Sequence, residues 1–154
     1  MSAPPGPTVV LVSEVVALHV APERHAPMTA VASVTAEAGA GLVGDRYHGT
    51  RHRHVSVQSR EELDDAAVRR GAPVPTGLTR RNVTLDAGRV PTTPGDRIVV
   101  GDVVLEVVRK AAPCRVMDTS VGPGARAALH ERGGAVCRVL SSGTIAVGDA
   151  AELS

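Results

Sequence analysis

The chain has 154 residues with no Phe and no Trp, and Tyr47 is its only Tyr. A core built without these rings must be filled by Val, Leu and Ala, and small side chains fill a narrow barrel more readily than a wide sandwich. The same scarcity argues against single-strand nucleic-acid binding, which stacks bases on aromatic side chains. Hydrophobic residues still make up 43% of the chain, enough for a real core, and the length suits one domain. A formal net charge of +1 provides no whole-molecule field to draw in nucleic acid or a membrane surface. No apolar run reaches membrane-spanning length and Met1 to Pro7 lacks a basic leader, so a cytoplasmic protein without membrane contact is expected. Two cysteines, Cys114 and Cys137, make no disulfide framework.

Patterning predicts many short strands and few helices. Residues 1–8 read as a disordered Pro-rich tail, and 9–154 as a single domain. Val9 to Val20 reads as one long strand or two bent ones. Further strands are expected at Met28 to Glu37, His54 to Gln58, Asn82 to Asp86, Arg97 to Val100, Val103 to Arg109, Ala135 to Leu140 and Thr144 to Val147. Gly39 to Thr50 is too rich in glycine for a regular element. Ser59-Arg60-Glu61-Glu62 fits a capping box opening a helix to about Arg70, with Gly71 as its stop and Leu63, Ala66 and Ala67 inward. A second short helix is expected between Pro123 and Arg132, ended by Gly133-Gly134. The fold class is therefore mainly β, a barrel or sandwich of about seven short strands with two short helices, and the small core side chains favour a closed or partly closed barrel.

Candidate chemistry gathers in three places. From Arg46 to Arg60 stand Arg46, His48, Arg51, His52, Arg53, His54 and Arg60, with no acid until Glu61. This segment reads as a solvated basic loop, or as an oxyanion site of Arg forks and the free N–H groups around Gly49. A zinc site of His48, His52 and His54 is disfavoured, because the interleaved Arg would repel a dication. Asp45 reads as a turn or salt-bridge residue. Arg80-Arg81-Asn82 enters a strand, where Arg80 and Asn82 would share one face, unless the pair of Arg is simply surface. Cys114, between Pro113 and Arg115 and after Arg109-Lys110, is a thiol among cations, inclined to the thiolate that binds soft metals or attacks sulfur. An inert buried thiol is the alternative, and Cys137 fits that description. Lys110, the only Lys, is a less favoured candidate for a pyridoxal phosphate Schiff base. Gly39-Ala40-Gly41-Leu42-Val43-Gly44 matches a dinucleotide-binding pattern in letters only, since no amphipathic helix follows it.

Taken in order, these stretches resemble the MOSC domain, the C-terminal domain of molybdenum cofactor sulfurases and of related stand-alone bacterial proteins. The resemblance rests on Gly41-Leu42-Val43-Gly44-Asp45-Arg46-Tyr47-His48-Gly49, Leu78-Thr79-Arg80-Arg81-Asn82-Val83, Pro94-Gly95-Asp96 and Pro113-Cys114. It continues through Gly133-Gly134, Arg138-Val139-Leu140, Gly143-Thr144-Ile145 and Val147-Gly148-Asp149. It spans about residues 12 to 152 and implies a β-barrel of the pyruvate-kinase-barrel type. It further implies that Cys114 matches the family's key cysteine, a proposed sulfur carrier or a ligand of molybdenum. Arg80 and Asn82 would lie near the pterin and its phosphate, with His48-Gly49 at the same pocket; Arg46, Arg51, Arg53 and Arg81 complete the expected cofactor-binding set.

Three functions are therefore expected candidates. The first is a domain binding the molybdenum cofactor (molybdopterin) through Cys114 and reducing a small N-hydroxylated substrate with electrons from an external donor. The second is a non-catalytic carrier of persulfide or cofactor, served by a sulfur-donor protein. The third is an anion-binding barrel without a redox role.

Overall fold

A computed structural model describes residues 11–153, so the tail expected at 1–8 lies outside the described residues. Eleven strands are described: β1 (Leu11–Val20), β2 (Thr29–Ala30), β3 (Ser33–Glu37), β4 (Gly41–Leu42), β5 (Val55–Ser59), β6 (Val83–Leu85), β7 (Arg97–Val100), β8 (Val103–Lys110), β9 (Ala135–Val139), β10 (Gly143–Ala146) and β11 (Ala150–Leu153). The helices are α1 (Arg60–Arg70), α2 (Arg115–Ser120) and α3 (Ala125–Ala128).

Seven of these strands close a barrel in the order β1-β11-β7-β8-β9-β5-β6 and back to β1, while β2 adds to the far end of β1. Strands β10, β3 and β4 form a separate small sheet. β1 pairs β11 through Leu11, Val12, Ser13 and Glu14 and β6 through Val15, Ala17 and Leu18, with a register shift between Val15 and Ala17 on the β6 side. β5 and β6 are parallel and the other pairings antiparallel. A parallel pair needs a crossover connection, which α1 and the segment after it supply.

The barrel interior holds Val, Leu, Ile and Ala as the missing rings require, with Val15, Leu85, Ile98, Leu105 and Val57 fully buried. Cys137 sits in this interior, where burial pushes its thiol up to about 12. A second apolar cluster joins the helices through Leu63, Ala66, Met117, Ala125 and Leu129.

Several expectations need correction, and Gly39 to Thr50 does contain a regular element, the short strand β4. Ser59 caps α1 by accepting from the Glu62 N–H at 3.2 Å, and Gly71 ends it with a left-handed φ of 75°. Glu62, however, does not reach back to close a capping box. Its carboxylate accepts from the Val90 N–H at 2.8 Å, since the neighbouring loop offers a buried donor. Burial holds this carboxyl above the usual range. The second expected helix shrinks to α3, and α2 appears where none was foreseen. Its N-cap Cys114 makes no side-chain cap bond, so the usual signal of a helix start is missing. Strand β11 was also unforeseen: Ala-Ala-Glu-Leu lacks β-branched residues, but pairing on both sides compensates.

Gly133-Gly134 does more than stop a helix. Gly134 has φ of 82°, and a Cβ there would lie 1.8 Å from the Val57 carbonyl oxygen. The bare backbone lets this segment press between β5 and the end of β8, where Ala111 N–H donates to the Gly134 carbonyl. That contact positions the loop carrying Cys114.

Candidate functional site

Cys114 stands at the junction of β8 and α2 with its side chain exposed. It opens onto a cavity of about 210 Å³ lined also by Arg24, His25, Arg46, Tyr47, Arg53, Arg80, Arg81, Val116 and Met117. Five guanidinium groups and one thiol thus share a space whose lining contains no Asp or Glu. The elements that supply them are far apart in sequence: the β1–β2 turn, the loop before β5, the entry to β6 and the start of α2.

Arg81 is the most buried of the five arginines. It is 6% exposed, and its Nε donates to the Gly133 carbonyl at 3.1 Å. Its Nη2 is buried without a hydrogen-bond partner. Burial lowers its pKa to about 10, the nearby Arg53 charge adds to the fall, and a Cys114 thiolate opposes it. Arg53 is lowered chiefly by burial, with repulsion from Arg109 and Arg46, and Arg80 by burial and Arg46. A buried cationic donor lacking an acceptor is unfavourable by roughly 1–3 kcal/mol or more. An anion in the cavity would satisfy it and relieve the mutual repulsion.

The backbone at Arg80 explains how two consecutive residues face one cavity. Arg80 has φ of 62°, a left-handed conformation that side chains other than glycine rarely adopt. Strand alternation therefore breaks before β6, so Arg80 and Arg81 both line the cavity while Asn82 turns inward. The conformation is held from two sides: Arg46 Nη2 donates to the Arg80 carbonyl at 3.2 Å, and Arg80 Nη1 donates to the Ala26 carbonyl at 3.0 Å. Such local strain persists where surrounding bonds impose it.

Asp45 is the anchor beneath the cavity. Its fully buried carboxylate accepts from the Arg46 guanidinium at 3.1 Å, the Ala21 N–H at 3.1 Å and the Asn82 amide at 3.3 Å. It is a turn and salt-bridge residue, as its place in the sequence suggested. Beside it the Tyr47 ring carries two cations, Arg46 at 4.5 Å and Arg53 at 4.2 Å from its centroid. The only Tyr of the chain is thus already engaged by guanidinium groups.

Of the residues singled out from sequence, Cys114, Arg46, Arg53, Arg80 and Arg81 meet at the cavity, and His48, Gly49, Arg51 and Asn82 do not line it. Asn82 does not share a face with Arg80. Its Oδ1 accepts from the Ser56 N–H and hydroxyl at 3.0 and 3.2 Å, and its Nδ2 donates to the His19 carbonyl at 3.0 Å. His48 points to Glu37 at 3.5 Å, Gly49 donates its N–H to the Ala40 carbonyl, and Arg51 and His52 are exposed. His54 is buried and uses both ring nitrogens: Nδ1 accepts from Val139 N–H and Nε2 donates to the Thr50 carbonyl. No group of three or more His, Cys, Asp or Glu side chains placed to hold a metal ion occurs among the described residues. Lys110 pairs with Glu131 at 2.5 Å and is not part of the cavity lining. Arg24 and His25 were missed, because nothing in Glu23-Arg24-His25 marks it as more than a turn.

A family model described as "MOSC domain" matches residues 44–152. Among solved structures, the YuaD protein from Bacillus subtilis superposes with a TM-score of 0.81 at 19% identity, covering 94% of this chain and 96% of that one. YiiM from Geobacillus stearothermophilus gives 0.69 at 20% identity over 92% and 75% of the two chains. YiiM from Escherichia coli gives 0.67 at 16% identity over 94% and 70%. These likenesses concern the fold. No curated protein matches the chain. Among the described residues no helix is long and apolar enough to cross a membrane.

Proposed function

Because the chain belongs to the MOSC domain family, a family associated with the molybdenum cofactor, we propose that its arginine-lined cavity binds that cofactor with Cys114 as the protein ligand to the metal. The observation that carries this reading is the convergence of one exposed thiol and five arginines on a cavity whose lining has no carboxylate. The donor chemistry fits both ends of such a group. A thiolate suits a soft, high-valent metal, and guanidinium forks suit a phosphate. Arg81, with its orphaned buried Nη2, is the natural phosphate partner, supported by Arg53 and Arg80. A space of about 210 Å³ is below the ~300 Å³ at which ligand pockets usually begin, so it suits the charged part of the group rather than the whole.

When bound, molybdenum supplies two-electron oxygen-atom chemistry, which would convert an N-hydroxylated base to the amine and water given two electrons and two protons. The electrons come from an external donor in this reading. The chain's own residues bind and orient: the cations hold the anionic group, and Asp45 with Asn82 keeps the Arg46 and Arg80 loops in register.

Exposure of Cys114 favours a second reading, in which the thiol carries sulfur as a persulfide to or from a partner. Metal and pterin analysis of protein from a cofactor-competent host separates the two. Under the first, molybdenum and pterin co-purify with the wild type and Cys114→Ala loses the metal; a wild type with neither refutes it. Under the second, cyanide-labile sulfur resides on Cys114 without molybdenum, and its absence refutes that reading.

A further inference from the structure

We propose that Cys114 takes sulfur directly from a small dianionic sulfur oxyanion of the thiosulfate class, so that this domain is itself a sulfurtransferase. The inference rests on the persulfide reading of Cys114 and names its substrate; it does not require the metal.

The cavity suits such a substrate in size and charge. About 210 Å³ holds a compact oxyanion with room for hydration. Arg81, whose Nη2 is a buried donor with no partner, lines the same cavity as an exposed thiol. Arg53 and Arg80, both disfavoured as cations chiefly by burial, stand beside it. A carbonyl or neutral amide would satisfy one donor, whereas a sulfonate-like group with three oxygens can meet several guanidinium groups together.

The chemistry also calls for this lining. A thiolate and a thiosulfate dianion repel one another, so their encounter needs fixed positive charge in a space with few competing anions. The Cys114 thiolate attacks the outer sulfur, a sulfur–sulfur bond forms to Cys114, and the bond to the sulfonate sulfur breaks. Its electron pair leaves with sulfite, and the cations that bound the substrate neutralise the departing dianion. The enzyme persulfide then passes its outer sulfur to an acceptor nucleophile such as cyanide, releasing thiocyanate and restoring the thiolate. No external oxidant or reductant enters the cycle. Cys137, sealed in the barrel interior, takes no part.

The test uses reduced, desalted full-length protein and sodium thiosulfate. Intact-mass measurement is expected to show a gain of one sulfur atom per chain with equimolar sulfite release, reversed by cyanide with thiocyanate formation. Cys114→Ser abolishes the gain and Cys137→Ser retains it. Arg53→Gln and Arg81→Lys raise the thiosulfate concentration for half-maximal loading by about tenfold or more, with circular dichroism confirming that each variant is folded, and sulfate competes. Absence of loading in folded wild type at millimolar thiosulfate overturns the inference, as does equal loading of Cys114→Ser or an unshifted Arg53→Gln. Cyanide-labile sulfur on the protein as isolated, together with no loading by thiosulfate, leaves the carrier reading standing and removes this substrate.

Discussion

Replacing Asn82 by Ala separates a ligand-binding role from a structural one. The Asn82 side chain is 2% exposed and joins three segments: Ser56 of β5, His19 of β1, and Asp45 in the loop between them. Truncation leaves the Ser56 N–H and the His19 carbonyl without this amide as partner. The Ser56 hydroxyl retains the Asn82 backbone N–H at 3.0 Å, and Asp45 retains Ala21 and Arg46. Two buried groups thus lose their partner, at roughly 1–3 kcal/mol each, so the expected loss is about 2–6 kcal/mol. For a chain of this length that lowers the melting midpoint by roughly 2–4 °C per kcal/mol. Asn82→Asp is expected to be worse at neutral pH, since it places a second carboxylate beside buried Asp45 and removes both amide donors. Urea unfolding of wild type and both variants measures these losses, alongside sulfate or thiosulfate titration of the folded variants. The reasoning fails if Asn82→Ala keeps wild-type stability within about half a kcal/mol while losing anion binding, because Asn82 would then be a contact to the ligand.

Two further outcomes follow from burial. An anionic aromatic disulfide reagent should modify Cys114 alone in the native protein and both cysteines in denaturant, with a native rate that falls as salt screens the arginines; native modification of Cys137 would contradict its burial. Glu62 binds its proton more tightly in the folded chain than in the unfolded one. Its contribution is therefore fully present below the ordinary glutamate range and is lost as pH rises through the elevated value. Glu62→Gln keeps an oxygen for the Val90 N–H and should flatten that slope in unfolding midpoints across mildly acidic pH; an identical slope in both proteins would refute the assignment.

Much was legible locally because local rules dominate there. Ser59 and Gly71 bound α1 where the letters place them, and the alternation of Ser33–Glu37 is the burial alternation of β3. The lack of Phe and Trp already dictated an aliphatic core. Cys114 stood out as a thiol among cations, and Cys137 as a core residue, from their neighbours alone. What the letters could not contain is the outcome of long-range pairing. β11 exists because β1 and β7 offer it hydrogen-bond partners on both edges, against a weak intrinsic preference for strand. The left-handed backbone of Arg80 depends on bonds from Arg46 and to Ala26, so the rule of alternating faces fails where it would have assigned Asn82 to the cavity. Arg24 and His25 enter the lining only because β1 and β2 fold their turn over the loop before β5. Composition and periodicity selected the barrel, since they count side chains that must be buried. Which charged groups meet at its mouth was decided by closure, which brings together residues ninety positions apart.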